Sequence, residues 1–245
     1  MLNRLKNQIS QYRYNEKVTC SLDVLGYSEK VYASGKIDSP DAYLPLIVLN
    51  ETMSDYEAKG NSGKNVDVKL FSDSLFVSCE LEHISELLWF IATFILQVLV
   101  SETSIKHDGK NMVQEIQYNM IRGGITYGKV CISPEQSSFF GPAINDAHKL
   151  EANIAIYPRV VLDYKILEKI KEIDDERIKK SVCMDSDIPY FDFIKFLNYE
   201  KILVCKDDMK CYASGLKEAA LKEKDLRISQ KYMWLSSYFS NYVND

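Results

Sequence analysis

The six cysteines of this 245-residue chain, Cys20, Cys79, Cys131, Cys183, Cys205 and Cys211, include no CxxC pair. Most sit in apolar, strand-like runs, which excludes a zinc knuckle or disulfide frame and reads as free thiols in a reducing, cytoplasmic compartment. A net charge of −5 argues against wholesale phosphate-backbone binding as the main job, so no nucleic-acid partner is expected. The three histidines, His83, His107 and His148, are scattered without metal-ligand spacing and read as ordinary exposed side chains. The longest apolar run, Leu87–Val100, has 14 residues and includes Gln97. That is short for a membrane span and suits a helix buried on most sides. The opening residues MLNRLKNQISQYRYNEK hold no apolar core, so a signal peptide is not expected. There is no internal repeat and no proline- or glycine-rich linker. These absences leave one domain over residues 1–245, with a core of about 17–163 and a C-terminal helical extension of about 164–245.

What is present centres on Val66–Cys79, VDVKLFSDSLFVSC. Val66, Val68 and Leu70 alternate with Asp67, Lys69 and Phe71, the period of a half-buried strand. Leu75–Cys79 gives a second strand, so Asp73 stands at the tip of a tight hairpin. An acid there is either a turn residue or a ligand.

In chain order, a polar helical lead-in to about Glu16 precedes the strand Val18–Leu22, which ends at Asp23. Val24-Leu25-Gly26-Tyr27-Ser28 then turns the chain into a helix that Ser28 could cap. Asp41–Lys59 reads as a helix, followed by the hairpin and an apolar helix from about Ser85 to Glu102. A polar loop, Lys106–Asn111, leads to a second hairpin over Ile116–Ile132. Its Gly123, Gly124 and Gly128 lack the GxxxxGK[ST] spacing of a phosphate loop and are expected to serve packing and a turn. Pro142 opens a helix from about Ala143 to Ile154 at a position where proline is tolerated, and Tyr157–Leu162 is a further strand. Beyond it come a charged helix (Asp163–Lys180), a mixed segment (Ile188–Cys205) and one long helix (Gly215–Tyr242), whose aromatic end reads as a core or dimer stripe.

This order is an α+β plan with helices covering one face of a mainly antiparallel sheet. A split βαβ layout would place Asp23 on the strand beside the Asp73 hairpin. Two carboxylates at adjacent strand ends can share hard divalent cations, although such residues are more often solvated turn acids. Gly26 lets the backbone approach a ligand, and the helix start at Tyr27 and Ser28 offers N–H groups to phosphate.

LDVLGYS (Leu22–Ser28), FSDSLFVS (Phe71–Ser78), RGGITYG (Arg122–Gly128) and FGPAINDAHKLEANIAIYPRVVLD (Phe140–Asp163) occur in order at suitable spacing. Together they resemble the class III nucleotidyl cyclase domain, a ferredoxin-like, palm-type α+β fold. The resemblance is nearest to the stand-alone bacterial pyrimidine cyclases of the Pycsar antiphage defence system, and the ending Lys231-Tyr232-Met233-Trp234-Leu235 resembles the tail of those proteins.

The resemblance implies a head-to-tail homodimer that converts CTP or UTP to the 3′,5′-cyclic monophosphate and pyrophosphate, with a separate effector reading the product. Asp23 and Asp73, with the Val24 carbonyl, would hold two Mg²⁺ or Mn²⁺ ions. Gly26, Tyr27 and Ser28 would bind phosphate, and Lys69 and Ser138 stand at base-contacting positions. Each also has a plain reading, an exposed strand lysine and a loop serine. Asn145 and Lys149 match an asparagine and arginine that reach into the partner's site. Lys149 departs from the pattern, because lysine lacks the bidentate fork of arginine. That leaves weaker catalysis, another donor such as Arg122 or Arg159, or none. The alternatives are a silent cyclase-fold module that binds nucleotide or a partner for regulation, which Lys149 favours, and a purine cyclase, because base choice rests on very few contacts.

Overall fold

The computed structural model describes residues 12–27, 40–61, 65–101, 103–108, 111–116, 118–133, 138–202 and 205–244. Its central strand is β1, Asn15–Leu25, buried from Lys17 through Leu22 because it has a neighbour on both edges and helices above and below. On one edge it pairs antiparallel with β3 (Ser74–Cys79), which pairs in turn with β2 (Val66–Phe71). On the other edge lies β6 (Met120–Ile132), then β8 (Val160–Leu162), β10 (Ile188–Phe191) and β9 (Val182–Asp185). Every ladder of this path is antiparallel except β6–β8. The mainly antiparallel α+β expectation is met, and the stretch after 163 adds two strands to the same sheet.

Several boundaries differ from the sequence reading. Asn15 and Glu16 belong to β1, and Tyr12–Tyr14 is irregular. The second hairpin is displaced: β4 (Thr103–Asp108) and β5 (Asn111–Ile116) pair with each other where a polar loop was expected, and β6 is one long strand. The charged helix is two, α4 (Tyr164–Glu172) and α5 (Glu176–Lys180), each begun by an aspartate cap, Asp163 onto the Ile166 N–H and Asp175 onto the Arg177 N–H. The long C-terminal helix is a pair, α7 (Lys206–Lys222) and α8 (Leu226–Asn244). The mixed segment resolves into β10 and α6 (Phe193–Tyr199).

Helices α1 (Pro40–Ala58) and α2 (Ile84–Val100) match the sequence reading closely. Leu81–Val100 is long and apolar enough to cross a membrane, and α2 is buried on most sides within the protein, against β3, β6, α1 and α6.

Helices cover both faces of the sheet, which corrects the one-face expectation. Successive strand residues point to opposite faces, and β6 shows both. At Gly123 a Cβ would meet the Leu22 side chain on the α2 side. At Gly124 it would lie 2.4 Å from the Leu150 Cβ and 2.6 Å from the Ala147 carbonyl oxygen. Only glycine admits that approach, which seats α3 (Pro142–Lys149) and the π-helical turn Leu150–Ile154 on the second face.

Candidate active site

The cross-strand register builds one row of side chains on this second face, Phe71–Ser74–Asp23–Arg122. The next row is Lys69–Phe76–Ser21–Gly124. Asp73 follows Ser72, whose φ of 59° lies in the left-handed region, and closes the β2–β3 turn. The Val24 N–H donates to the Asp73 carbonyl at 3.3 Å, which ties the hairpin tip to the end of β1. Gly26, at φ 76°, then takes the chain out of the sheet. The expected neighbourhood of Asp23 and Asp73 is thus present, with Asp23 two residues inside β1 rather than beyond its end.

Burial pushes the Asp23 carboxyl above the usual range; Arg122 opposes the shift and the charge of Asp73 adds to it. Arg122 makes the pair with Asp23, its Nε donating to Oδ2 at 3.2 Å. The same guanidinium lies 2.8 Å from Oε1 of Glu151, a contact without hydrogen-bond alignment. Glu151 is only 2 % exposed, and His148 Nδ1 approaches its other oxygen at 2.9 Å. Burial raises the Glu151 carboxyl against the pull of Arg122. An acid-base-acid row therefore ends at Asp23. Burial first, and the charge of Asp73 second, push the pKa of the Tyr27 hydroxyl up.

The other singled-out residues lie elsewhere. Ala143 and Ala147 are buried against the sheet, while Asn145 and Lys149 are exposed on the outer side of α3, away from the Asp23 of their own chain. Near the opposite end of β6 the Ser133 N–H donates to the Ser138 carbonyl and the Ser138 N–H to the Ser133 hydroxyl oxygen, both at 3.0 Å. Ten residues separate Arg122 from Ile132, on the order of 33 Å of strand. Lys69 is half-buried one row behind Asp23. Ser28 lies outside the described residues. Neither arginine considered as a stand-in for Lys149 is free: Arg122 holds Asp23 and Glu151, and Arg159, buried, pairs with Asp185.

Glu151 was missed by sequence reasoning. Its signal is the spacing Ala143, Ala147, Glu151, which puts a charged residue on the small-residue face of the helix. A surface cleft near the other end of β6, around Tyr127, Lys129 and Asp146, mixes both charge signs, already pairs Lys165 with Asp146 at 2.7 Å, and does not include Asp23 or Asp73.

No family model matches the chain, and no curated protein matches its sequence. Among solved structures it is similar to the adenylyl cyclase CyaB from P. aeruginosa, at 15 % identity and a TM-score of 0.43, over 73 % of this chain and 93 % of that one. It is also similar to the monomeric guanylyl cyclase domain of the RhoGC fusion protein from the aquatic fungus Blastocladiella emersonii, at 15 % identity and a TM-score of 0.46, over 74 % and 97 %. The guanylyl cyclase Cya2 matches at 13 % identity and a TM-score of 0.43, over 73 % and 91 %. Likenesses this distant carry no argument about activity.

Proposed function

We propose that this protein is a nucleotidyl cyclase that converts a pyrimidine nucleoside triphosphate, CTP or UTP, to its 3′,5′-cyclic monophosphate and pyrophosphate. The observation that carries the reading is the single row that joins Asp23 to the Asp73 hairpin, with Lys69 on the same face one row behind. The donor set suits Mg²⁺ or Mn²⁺: two carboxylates and the Val24 carbonyl are hard oxygen ligands, and these ions complete their shells with water and substrate phosphates. Bound there, two such ions would neutralise the triphosphate and acidify the ribose 3′-hydroxyl. Asp23 and Asp73 would fix that charge at the strand ends, and Gly26, Tyr27 and Ser28 would bind the phosphates. The hydroxyl oxygen gives up its proton to water and bonds to the α-phosphorus as the bond to the pyrophosphate oxygen breaks. Lys69 donates to a carbonyl on the base edge, and Ser138 takes the second base contact.

One chain does not complete this site. Asn145 and Lys149 point away from the Asp23 of their own chain, and Ser138 is distant from it, as a head-to-tail homodimer with interfacial sites requires. The chain would act in the cytoplasm as a second-messenger synthase in antiphage defence, its product read by a separate effector.

The test is direct: purified protein is incubated with ATP, GTP, CTP or UTP and Mn²⁺ or Mg²⁺, and products are identified by mass spectrometry. Cyclic CMP or cyclic UMP is the expected product; a cyclic purine nucleotide alone would overturn the base assignment. One observation favours a second reading, a silent nucleotide-binding module: the outward position on α3 carries Lys149, a point charge without a fork. Four blank reactions from an intact, nucleotide-binding dimer would select it.

A further inference from the structure

The C-terminal helix pair crosses the end of the sheet that carries Asp23. Tyr118, just before β6, is met edge-on by Tyr212 of α7 at 5.2 Å and by Tyr232 of α8 at 6.3 Å. Tyr157, just before β8, stacks on Trp234 of α8 at 6.1 Å with 9° between planes. Trp234 also donates its indole N–H to Asp185 at 3.0 Å and lies against Arg159. β6 and β8 run parallel and β1 antiparallel to both, so their starts flank the Asp23 end of β1. Two hydroxyls fix α8 along α7: Ser229 donates to the Ala220 carbonyl at 2.8 Å and Ser236 to that of Ala213 at 2.7 Å.

Between these anchors stands Lys231. It is half-buried, and among the described residues it makes no ion pair within 4 Å. Burial and the neighbouring cations Arg122 and Arg227 hold its ammonium below the usual range, while Asp225 and Asp23 pull the other way. Arg122 is spoken for by Asp23 and Glu151, and Arg227 by Asp225 at 3.2 Å. A third cation placed by rigid aromatic packing beside two others, with no acid of its own, is costly unless an anion arrives.

We infer that Lys231 is a polyphosphate-binding residue of the Asp23 site, delivered by the C-terminal helix pair, which positions the substrate's phosphate chain. The inference rests on the nucleoside triphosphate reading above and gives a role to a residue for which the resemblance implied none. Lysine suits the role as a compact, three-donor point charge on a long stem.

The test measures binding of inorganic tripolyphosphate, with Mn²⁺ present, to the full-length protein by calorimetry. Lys231→Met is expected to weaken it about tenfold or more, the size of one charge-assisted hydrogen bond. Lys231→Arg should restore most of the affinity, and Lys224→Met, at an exposed lysine in the same α7–α8 connection, should bind as wild type. A purely structural role predicts instead a lower melting temperature, whereas removing a half-buried cation from like charges should leave it unchanged or raised. If Lys231→Met does not fold, Lys231→Gln makes the same comparison. Equal tripolyphosphate affinity in wild type and variant, or no binding to wild type, overturns the inference. Cyclase activity in wild type is read separately by product formation. An unresponsive Lys231 in an active enzyme refutes this inference alone, and a Lys231-dependent anion site in an inactive protein refutes only the cyclase reading.

Discussion

Asp23 and Asp192 are both carboxylates at the junction of sheet and helix, and they are held in opposite ways. Asp192, 4 % exposed, accepts hydrogen bonds from the Lys195 N–H at 3.1 Å, the Tyr238 hydroxyl at 2.8 Å and the Tyr242 hydroxyl, and caps α6. Neutral donors saturate it, the Cys183 thiol at 3.5 Å among them, and Tyr238 itself packs against Phe193 and Trp234. Asp23 has one arginine, which it shares with Glu151, and a second aspartate close enough to oppose its ionisation. The first arrangement uses a buried charge to join two elements. The second leaves a charge under-satisfied, which a proton or an added cation would relieve. The difference separates an acid that serves the fold from one available for chemistry.

The largest effect that would sharpen this contrast is on turnover. Asp73→Ala should lower metal-dependent product formation by at least about a hundredfold, more than the usual loss of a residue that merely orients a ligand. Its circular dichroism spectrum and dimer should be unchanged, because Asp73 lies in a turn and its bond to Val24 uses the backbone. Substantial activity in that variant would remove Asp73 from the metal site. Asp192→Ala is the mirror image. It strips the partner from two tyrosine hydroxyls and a helix start, at a cost of about 3 kcal/mol. For a chain of this size that is roughly 6–12 °C in melting temperature. A melting temperature within a degree or two of wild type would place Asp192 outside the structural class.

The sequence made one half of this contrast legible and hid the other. The β2–β3 hairpin, Asp73 at its tip and the strand bearing Asp23 follow from local alternation and turn residues, signals that tertiary context reinforces. Their adjacency needed only the strand order. The second hairpin was misplaced because β4 and β5 carry polar residues without the apolar alternation that marks a half-buried strand. The break between α7 and α8 was missed because Glu223, Lys224 and Asp225 are ordinary helix-surface types. Glu151 and Lys231 were invisible for a different reason. Each looks like a surface charge on its helix, and only Gly124 for Glu151, and Tyr118 with Tyr157 for Lys231, turn those faces inward.

A smaller effect tests whether Arg122 stands in for a metal at Asp23. Arg122→Met should bind Mn²⁺ several-fold more tightly in the absence of nucleotide, because the competing cation is gone. It should also cost about 1–3 kcal/mol of stability, because among the described residues Glu151 then keeps His148 alone as an ionic partner. Unchanged Mn²⁺ affinity would mean that the arginine does not guard the site.

The smallest effect concerns the resting charge of Asp23. Its carboxyl in the folded protein lies above the ordinary value, so the fold holds that proton more tightly than the unfolded chain does. Between about pH 4 and the raised value the folded state binds more protons, and stability must fall as pH rises through that window. Asparagine at this position cannot ionise and escapes the loss. In metal-free buffer, Asp23→Asn should therefore gain melting temperature relative to wild type as pH climbs from 4, with the gain level once both states of the wild type are ionised. Asp73→Asn should shrink the difference, because the like charge that opposes Asp23 is gone. Saturating Mn²⁺ should reverse the order near neutral pH, because only the wild type retains a ligand to exchange for its proton. Melting curves from pH 4 to pH 7.5, with chelator and with Mn²⁺, decide it. A wild type that gains on Asp23→Asn with rising pH in chelator would show that Arg122 already satisfies this carboxylate, and Asp23 would then belong with Asp192.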